Sequence, residues 1–330
     1  MQRIIECVPN FSEGRDRKII DSIAEAIASA GPKVLNIDSG EAANRTVITF
    51  AGAPEDVCEA AFRGVSRAAE LIDMRNHHGT HPRSGATDVL PLVPISGVTL
   101  EECAVMARDL AKRIYDELGI ACYCYEAAAF RPEFRNLAVC RAGEYEALPE
   151  KLADPARRPD FGPSEMTEAV AKSGAVNVGA RNYLIAVNFN LDTTSVRLAN
   201  SIAFDVREKG RMAPDGTTQI PGRLKGCKAL GWYIEEYGIA QVSMNITDIE
   251  ATPLHVAFEE VCRAAEERGV NVTGTEIIGL VPEMVLTEAG KYFLGGDADA
   301  DELISAAIEA MGLSDLRPFD PSKKIIEYLL

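Results

Sequence analysis

The chain has 330 residues, 47% of them hydrophobic and 25% charged, with a net charge of −16. That length suits about two domains with separate cores, and the acidic balance argues against nucleic acid, whose phosphates draw their affinity from surplus Lys and Arg. No apolar run approaches the ~18 residues of a membrane span, and the N-terminal stretch has no apolar leader core, so the expectation is a cytoplasmic protein with no membrane partner.

In chain order, "RIIECVPNF" reads as a strand, "DRKIIDSIAEAIASAG" as a helix, "KVLNIDSG" and "RTVITFAG" as two strands, "PEDVCEAAFRGVSRAAELID" as a helix and "TDVLPLVPIS" as a strand. The second helix sets Val57, Ala61, Val65, Ala68 and Ile72 on one stripe, ready to lie on a sheet. A third helix opens at Thr99, where Glu102 completes a capping-box pattern, and the strand "IACYCYEA" follows it. From residue 183 the order repeats: "YLIAVNFNL" strand, "TSVRLANSIAFDVREKG" helix, "ALGWYIEEYGIAQVSMNIT" strand pair, "PLHVAFEEVCRAAEERG" helix, "TEIIGLVP" strand. The expected class is α+β, with two tandem ferredoxin-like βαββαβ sandwiches flanking a substrate groove and a division into residues 1–178 and 179–330.

Eight cysteines are an even number, but a chain of this size needs no disulfide staples, and Cys58, Cys103 and Cys262 fall within helical patterns as small apolar residues. Cys122 and Cys124 share one face of a strand, with no second closely spaced pair to complete a metal site.

The loops carry the chemistry. "HHGTHPRSGATDV", residues 77–89, holds three of the four histidines, His77, His78 and His81. His77 and His81 have the i, i+4 spacing of a helical zinc pair, yet Gly79 lies between them and Pro82 follows, which disfavours a continuous helix. A solvated polar loop and a catalytic base are the other readings. His81, framed by a glycine turn and Pro82-Arg83, has the surroundings that fix an imidazole beside a cation, and a neutral imidazole accepts and returns protons near neutral pH. Asp38, at the end of an apolar run and before Ser39-Gly40, is a candidate orienter or a turn-forming aspartate. No G-x-G-x-x-G, Walker or G-x-S-x-G pattern occurs, so no nucleotide and no serine-hydrolase elbow is expected.

Six separated stretches, "ECVPNFSEG" (6–14), "NRTV" (44–47), "THPRSGATDV" (80–89), "RAGEYEALPEKL" (141–152), "PDFGPS" (159–164) and "PGRLKGCKALGWY" (221–233), resemble the glutamate formiminotransferases. The likeness spans nearly the whole chain and matches the transferase half of formiminotransferase-cyclodeaminase; an ending at "KKIIEYLL" implies a stand-alone transferase of histidine breakdown. The resemblance implies two ferredoxin-like subdomains, a homodimer, and transfer of a formimino group from N-formimino-L-glutamate to tetrahydrofolate as co-substrate, without metal.

It further implies His81 as catalytic acid-base and Asp38 as its partner. Folate-binding positions would be Gly162, Pro163, Ser164, Ser173 and Gly174, with a second segment at Gly222, Arg223 and Leu224. Carboxylates on both substrates call for guanidinium groups, and Arg45, Arg83 and Arg181, with Asn10, are the candidate substrate contacts. Two stretches depart from the family pattern: "EMTEAVAKSGAVN" lacks a tryptophan, and "MAPDGTTQI" lengthens the approach to Pro221-Gly222-Arg223. The other readings of the histidine cluster are a metal-dependent amidohydrolase and a non-catalytic folate-binding protein.

Overall fold

Alternating side chains build the first sheet. On Arg45–Gly52, Ile48 and Phe50 turn toward one face while Arg45, Val47 and Thr49 turn toward the other, the two-residue period of a strand. The computed structural model describes residues 3–41, 43–79 and 82–330, and the chain divides after Asn182 into two units.

In the first unit, β1 (Ile4–Cys7) and β2 (Asn10–Phe11) are two pieces of one interrupted strand, since both pair with β4 (Arg45–Gly52) and with β5 (Thr87–Ser96). Helix α1 (Arg17–Ala28) leads to β3 (Lys33–Gly40), which pairs with β4; α2 (Pro54–Leu71) links β4 to β5. Helix α3 (Leu100–Leu118) starts with both bonds of the Thr99–Glu102 capping box and ends at Gly119 in the left-handed conformation. Next come β6 (Ala121–Glu126), short helices α4 (Leu137–Cys140), α5 (Leu148–Ala153) and α6 (Glu168–Ser173), and β7 (Ala175–Ala180). The seven strands run β3-β4-(β1, β2)-β5-β7-β6; β7 is parallel to both its neighbours, and the other pairings are antiparallel.

Strand β7 departs from the sequence reading, which assigned no element to residues 165–177 and set a boundary between 178 and 179, inside the strand. "AVNVGA" is buried on both faces, so it has no hydrophobic alternation to announce it.

Ile5, Cys7, Ile48, Phe50, Leu90, Leu92, Cys122 and Val176 pack against α1, α2 and α3 in the main core. On the opposite face Val89, Tyr123 and Tyr125 meet Phe134, Leu148, Leu152 and Val170 from the segment between β6 and β7, a second small core over β5, β7 and β6. Residues paired across strands share a face, so Asn36, Asp38, Arg45, Thr49, Asn10 and Glu6 extend that same face over β3, β4 and the β1–β2 strand.

The second unit comprises β8 (Ile185–Leu191), α7 (Val196–Val206), a ribbon of β9 (Arg211–Met212) and β10 (Gln219–Ile220), β11 (Cys227–Ile234), β12 (Ile239–Ile246), α8 (Leu254–Glu266) and β13 (Val272–Ile278). Its sheet runs β11-β12-β8-β13, antiparallel throughout, and "MAPDGTTQI" forms most of the ribbon. Four helices end the chain: α9 (Glu283–Leu294), α10 (Ala300–Ala310), α11 (Pro321–Lys324) and α12 (Ile326–Leu329). Val187, Phe189 and Val242 meet Ala199, Ile202, Ala257 and Val261, with Leu286 and Ile304 closing the core. Among the described residues no helix is long and apolar enough to cross a membrane.

Candidate active site

Three loops of the first unit meet at Asn44. Its side-chain Oδ1 accepts from the Gly14 amide at 3.0 Å, its Nδ2 donates to the His78 carbonyl at 3.0 Å, and its own carbonyl lies 3.0 Å from His77 Nε2. Asn44 is buried and holds φ at 49°, a left-handed conformation that Asn tolerates better than other residues with a Cβ. The loops approach at backbone distance: a Cβ on Gly14 would stand 2.4 Å from the Gly40 carbonyl oxygen, and one on Gly79 would stand 2.3 Å from that of Ala43. A bulkier residue at either position would force these backbones apart.

His77 is 7% exposed, and its Nδ1 accepts from Arg83 Nε at 3.3 Å, which leaves Nε2 to carry the proton donated to Asn44. Burial, abetted by the Arg83 charge, pushes its pKa below the ordinary imidazole range. With both ring nitrogens engaged and the ring neutral, His77 braces the loop. His78 is exposed, and its carbonyl is held by Asn44. His81 and Thr80 lie outside the described residues.

Arg83 Nη1 donates to Glu144 at 3.0 Å and to Glu146 at 2.8 Å, and Nη2 reaches Glu146 at 2.6 Å. One step inward stands Asp88, only 2% exposed. Its Oδ1 accepts from the Ser84 amide at 2.9 Å, and its Oδ2 takes Arg141 Nη2 at 2.8 Å and faces Arg45 Nη1 at 3.5 Å. Desolvation raises the Asp88 pKa against the pull of the two arginines, and lowers that of Arg45 to about 10. Arg45 also donates to Asn10 Oδ1. A shallow surface depression is lined by Ser12, Ala43, Asn44, Arg45, His77, Arg83 and Asp88.

Of the residues singled out in the sequence, Asn10, Arg45 and Arg83 thus come together. Asp38 is exposed on β3 and pairs with Val47, which pairs in turn with Asn10. It therefore shares their sheet face two strands away, roughly 10 Å at ordinary strand spacing. Arg181, just past β7, donates to the Asn182 carbonyl at 3.0 Å. Gly162, Pro163 and Ser164 follow Phe161, whose backbone pairs with Cys122 on β6. Ser173 is buried at the end of α6 and its carbonyl accepts from Ala86, while Gly174, at φ 72°, lies against Ser84.

In the second unit, the Gly222 amide donates to the Glu208 carbonyl, Leu224 is 4% exposed in the core, and Arg223 Nη2 donates to Glu267, just past the end of α8, at 2.6 Å. Among the described residues no three His, Cys, Asp or Glu side chains stand together in a metal-holding group.

The model of the formiminotransferase domain's N-terminal subdomain matches residues 4–181, and that of the formiminotransferase domain matches residues 186–330. The chain belongs to the formiminotransferase family. It is 45% identical over its whole length to formimidoyltransferase-cyclodeaminase of Sus scrofa, covering 60% of that protein. It is 42% identical to glutamate formimidoyltransferase of Streptococcus pyogenes, over 89% of this chain and 94% of that one, and 42% identical to that of Thermoplasma acidophilum, over 88% and 92%. The chain therefore spans about 60% of the length of the two-function relatives and nearly all of the single-function ones.

Sequence reasoning missed Asn44, Asp88, Arg141, Glu144 and Glu146 as parts of this arrangement. All five lie in stretches already marked by the resemblance, but apart from the Ser84 amide that Asp88 accepts, their partners stand 30 to 63 residues away, beyond any periodicity. Only Asn44 had a local signal, an Asn after a small-residue turn.

Proposed function

We propose that this protein transfers the formimino group from N-formimino-L-glutamate to tetrahydrofolate, giving 5-formiminotetrahydrofolate and L-glutamate in histidine degradation. The observation that carries the reading is end-to-end similarity to a glutamate formimidoyltransferase, 42% identity over 89% of this chain and 94% of that relative. In this reading N5 of tetrahydrofolate attacks the amidine carbon, and a tetrahedral intermediate expels glutamate as an amine. One base that takes the N5 proton and delivers it to the leaving nitrogen serves both steps. His81 has that role, with Asp38 holding its tautomer as the acid does in other His-Asp pairs. The structure supports the assignment indirectly: both ring nitrogens of His77 are already engaged in bracing the loop.

Folate contacts are assigned to Gly162, Pro163 and Ser164, to Ser173 and Gly174, and to Gly222, Arg223 and Leu224; substrate contacts to Asn10, Arg45, Arg83 and Arg181. Each unit is read as a ferredoxin-like sandwich. The β11-β12-β8-β13 order, repeated as β3-β4-(β1, β2)-β5 in the first unit before β7 and β6 extend it, supports this. A cytoplasmic homodimer completes the proposal.

The experiment is to mix the protein with formiminoglutamate and tetrahydrofolate and to follow 5-formiminotetrahydrofolate and glutamate. Turnover is expected, and His81→Ala should lower kcat by ~10² to 10⁴, the range for losing a general acid-base group, with substrate binding changed only a few fold. An inactive wild type would overturn the function. A His81→Ala variant retaining more than about a tenth of kcat would overturn the base.

A further inference from the structure

The turn at residues 141–147 grips the chain two residues beyond His81. Each nitrogen of Arg83 and its carbonyl are engaged. The backbone N–H donates to Glu144 Oε2 at 3.3 Å, and the carbonyl accepts from the Tyr145 amide at 2.9 Å. The guanidinium bonds to Glu144 and Glu146, with Nε turned to His77. Tyr145 is anchored in turn, its hydroxyl donating to the Ala171 carbonyl on α6 at 2.6 Å.

The turn reaches this arrangement through a backbone conformation that side chains avoid. Gly143 has φ 74°, and Glu144 has φ 58° with ψ −155°, a region that is essentially glycine's own. A residue with a Cβ persists there only where surrounding contacts over-determine it. At Glu144 those contacts are the two bonds its Oε2 accepts from Arg83, one from the main chain and one from the guanidinium. Its carboxylate and the amide of the next residue hold both backbone polar groups of Arg83, so relaxing Glu144 to an ordinary conformation would turn one of them away. Strain and grip go together.

We propose that Glu144 is a positioning residue for the transfer reaction: its strained backbone sets the carboxylate and the Tyr145 amide on Arg83 and thereby fixes the chain that carries His81. This rests on the formimino-transfer reading with His81 as the base. Asn44 holds the same loop on its other side, at the His78 carbonyl.

The test is steady-state kinetics with formiminoglutamate and tetrahydrofolate, and urea denaturation, on Glu144→Ala, Glu144→Gly and Glu144→Gln. In the alanine and glycine variants kcat should fall about ten- to a hundredfold, as for a displacement of ~1 Å near reacting groups, with both KM values within a few fold. Glycine relieves the backbone and alanine does not, so the glycine variant's unfolding constant should be about five- to tenfold the smaller, yet its kcat no higher. Glutamine keeps an oxygen to accept from Arg83 and should recover most of kcat. In a His81→Ala background, Glu144→Ala should lower kcat no further, because it acts through the base.

Equal stability of the alanine and glycine variants, a kcat that recovers along with stability, a glutamine variant as slow as alanine, or a full further loss in the His81→Ala background would overturn the proposal. Hydrogen exchange supplies a readout without turnover. The Arg83 amide, released from its acceptor, should exchange on the order of tenfold faster in Glu144→Gly than in wild type. If wild type proves inactive yet this acceleration appears, the transfer reading fails while the grip on Arg83 stands; if the amide exchanges at the wild-type rate, the grip itself fails.

Discussion

Asn44→Ala tests how the loops are joined. The substitution removes the acceptor for the Gly14 amide and the donor to the His78 carbonyl, both at 3.0 Å, and leaves an alanine at φ 49°. Two hydrogen bonds at about 1 kcal/mol each, plus about 1 kcal/mol for a left-handed alanine relative to asparagine, give a loss of ~3 kcal/mol. Asn44→Gly removes the same bonds but tolerates the backbone, so it should lose only ~2 kcal/mol. Asn44→Asp keeps an acceptor for Gly14 but sets a carboxylate against the His78 carbonyl, and should fall near alanine. Urea denaturation with a common slope measures all three. Activity should drop further than stability if His81 is the base as proposed, because Asn44 holds the His78 carbonyl just before it in the chain, and a displacement of ~1 Å near reacting groups costs on the order of a hundredfold in rate. Alanine and glycine variants both within about 0.5 kcal/mol of wild type would refute the pivot.

Two pH dependences follow from buried bases. Folding lowers the His77 pKa, so the unfolded chain binds more protons as the solution acidifies: stability from this residue is complete above about pH 6.5 and is lost as pH falls through the folded value, with a slope of at most ~1.4 kcal/mol per unit. His77→Gln should flatten the acid limb of a stability-versus-pH curve, and an unchanged limb would refute the bracing role. Lys151, 3% exposed, donates to the Cys140 carbonyl and sits 4.6 Å from the Tyr123 ring centroid, and burial lowers its pKa to about 8. Its favourable contribution is complete above about pH 10.5 and lost as pH falls to 8, a change of up to ~3 kcal/mol, so Lys151→Met should gain on wild type steadily as buffers go from pH 10 to pH 8. A stability difference independent of pH over that range would refute it.

How legible the molecule was in its sequence depends on where each signal resides. Helices α2 and α3 were readable because apolar stripes and a capping box are local; the Thr99–Glu102 pair needs only three residues of separation. Strand β7 was hidden because it is buried on both faces, and its Ala, Gly and Asn residues carry little strand propensity. The terminal helices α9 and α10 were left unassigned. Helix α9 follows Pro282 without a side-chain cap, so its start carries no local capping signal.

For the site, residue type was readable and partnership was not. A motif containing three histidines draws attention to imidazoles, yet the tightest buried electrostatics in the same stretch belong to Asp88, whose partners come from β4 and from the end of α4. Arg83 was noticed for its place after His-Pro, but its partners Glu144 and Glu146 come from a segment that no local pattern connects to it. The distinction is energetic. Buried Asp88 binds Arg141 at 2.8 Å more closely than Arg45 at 3.5 Å, a difference in strength that residue type alone does not carry. Asp88 therefore ranks the arginines, and ranking them required the fold.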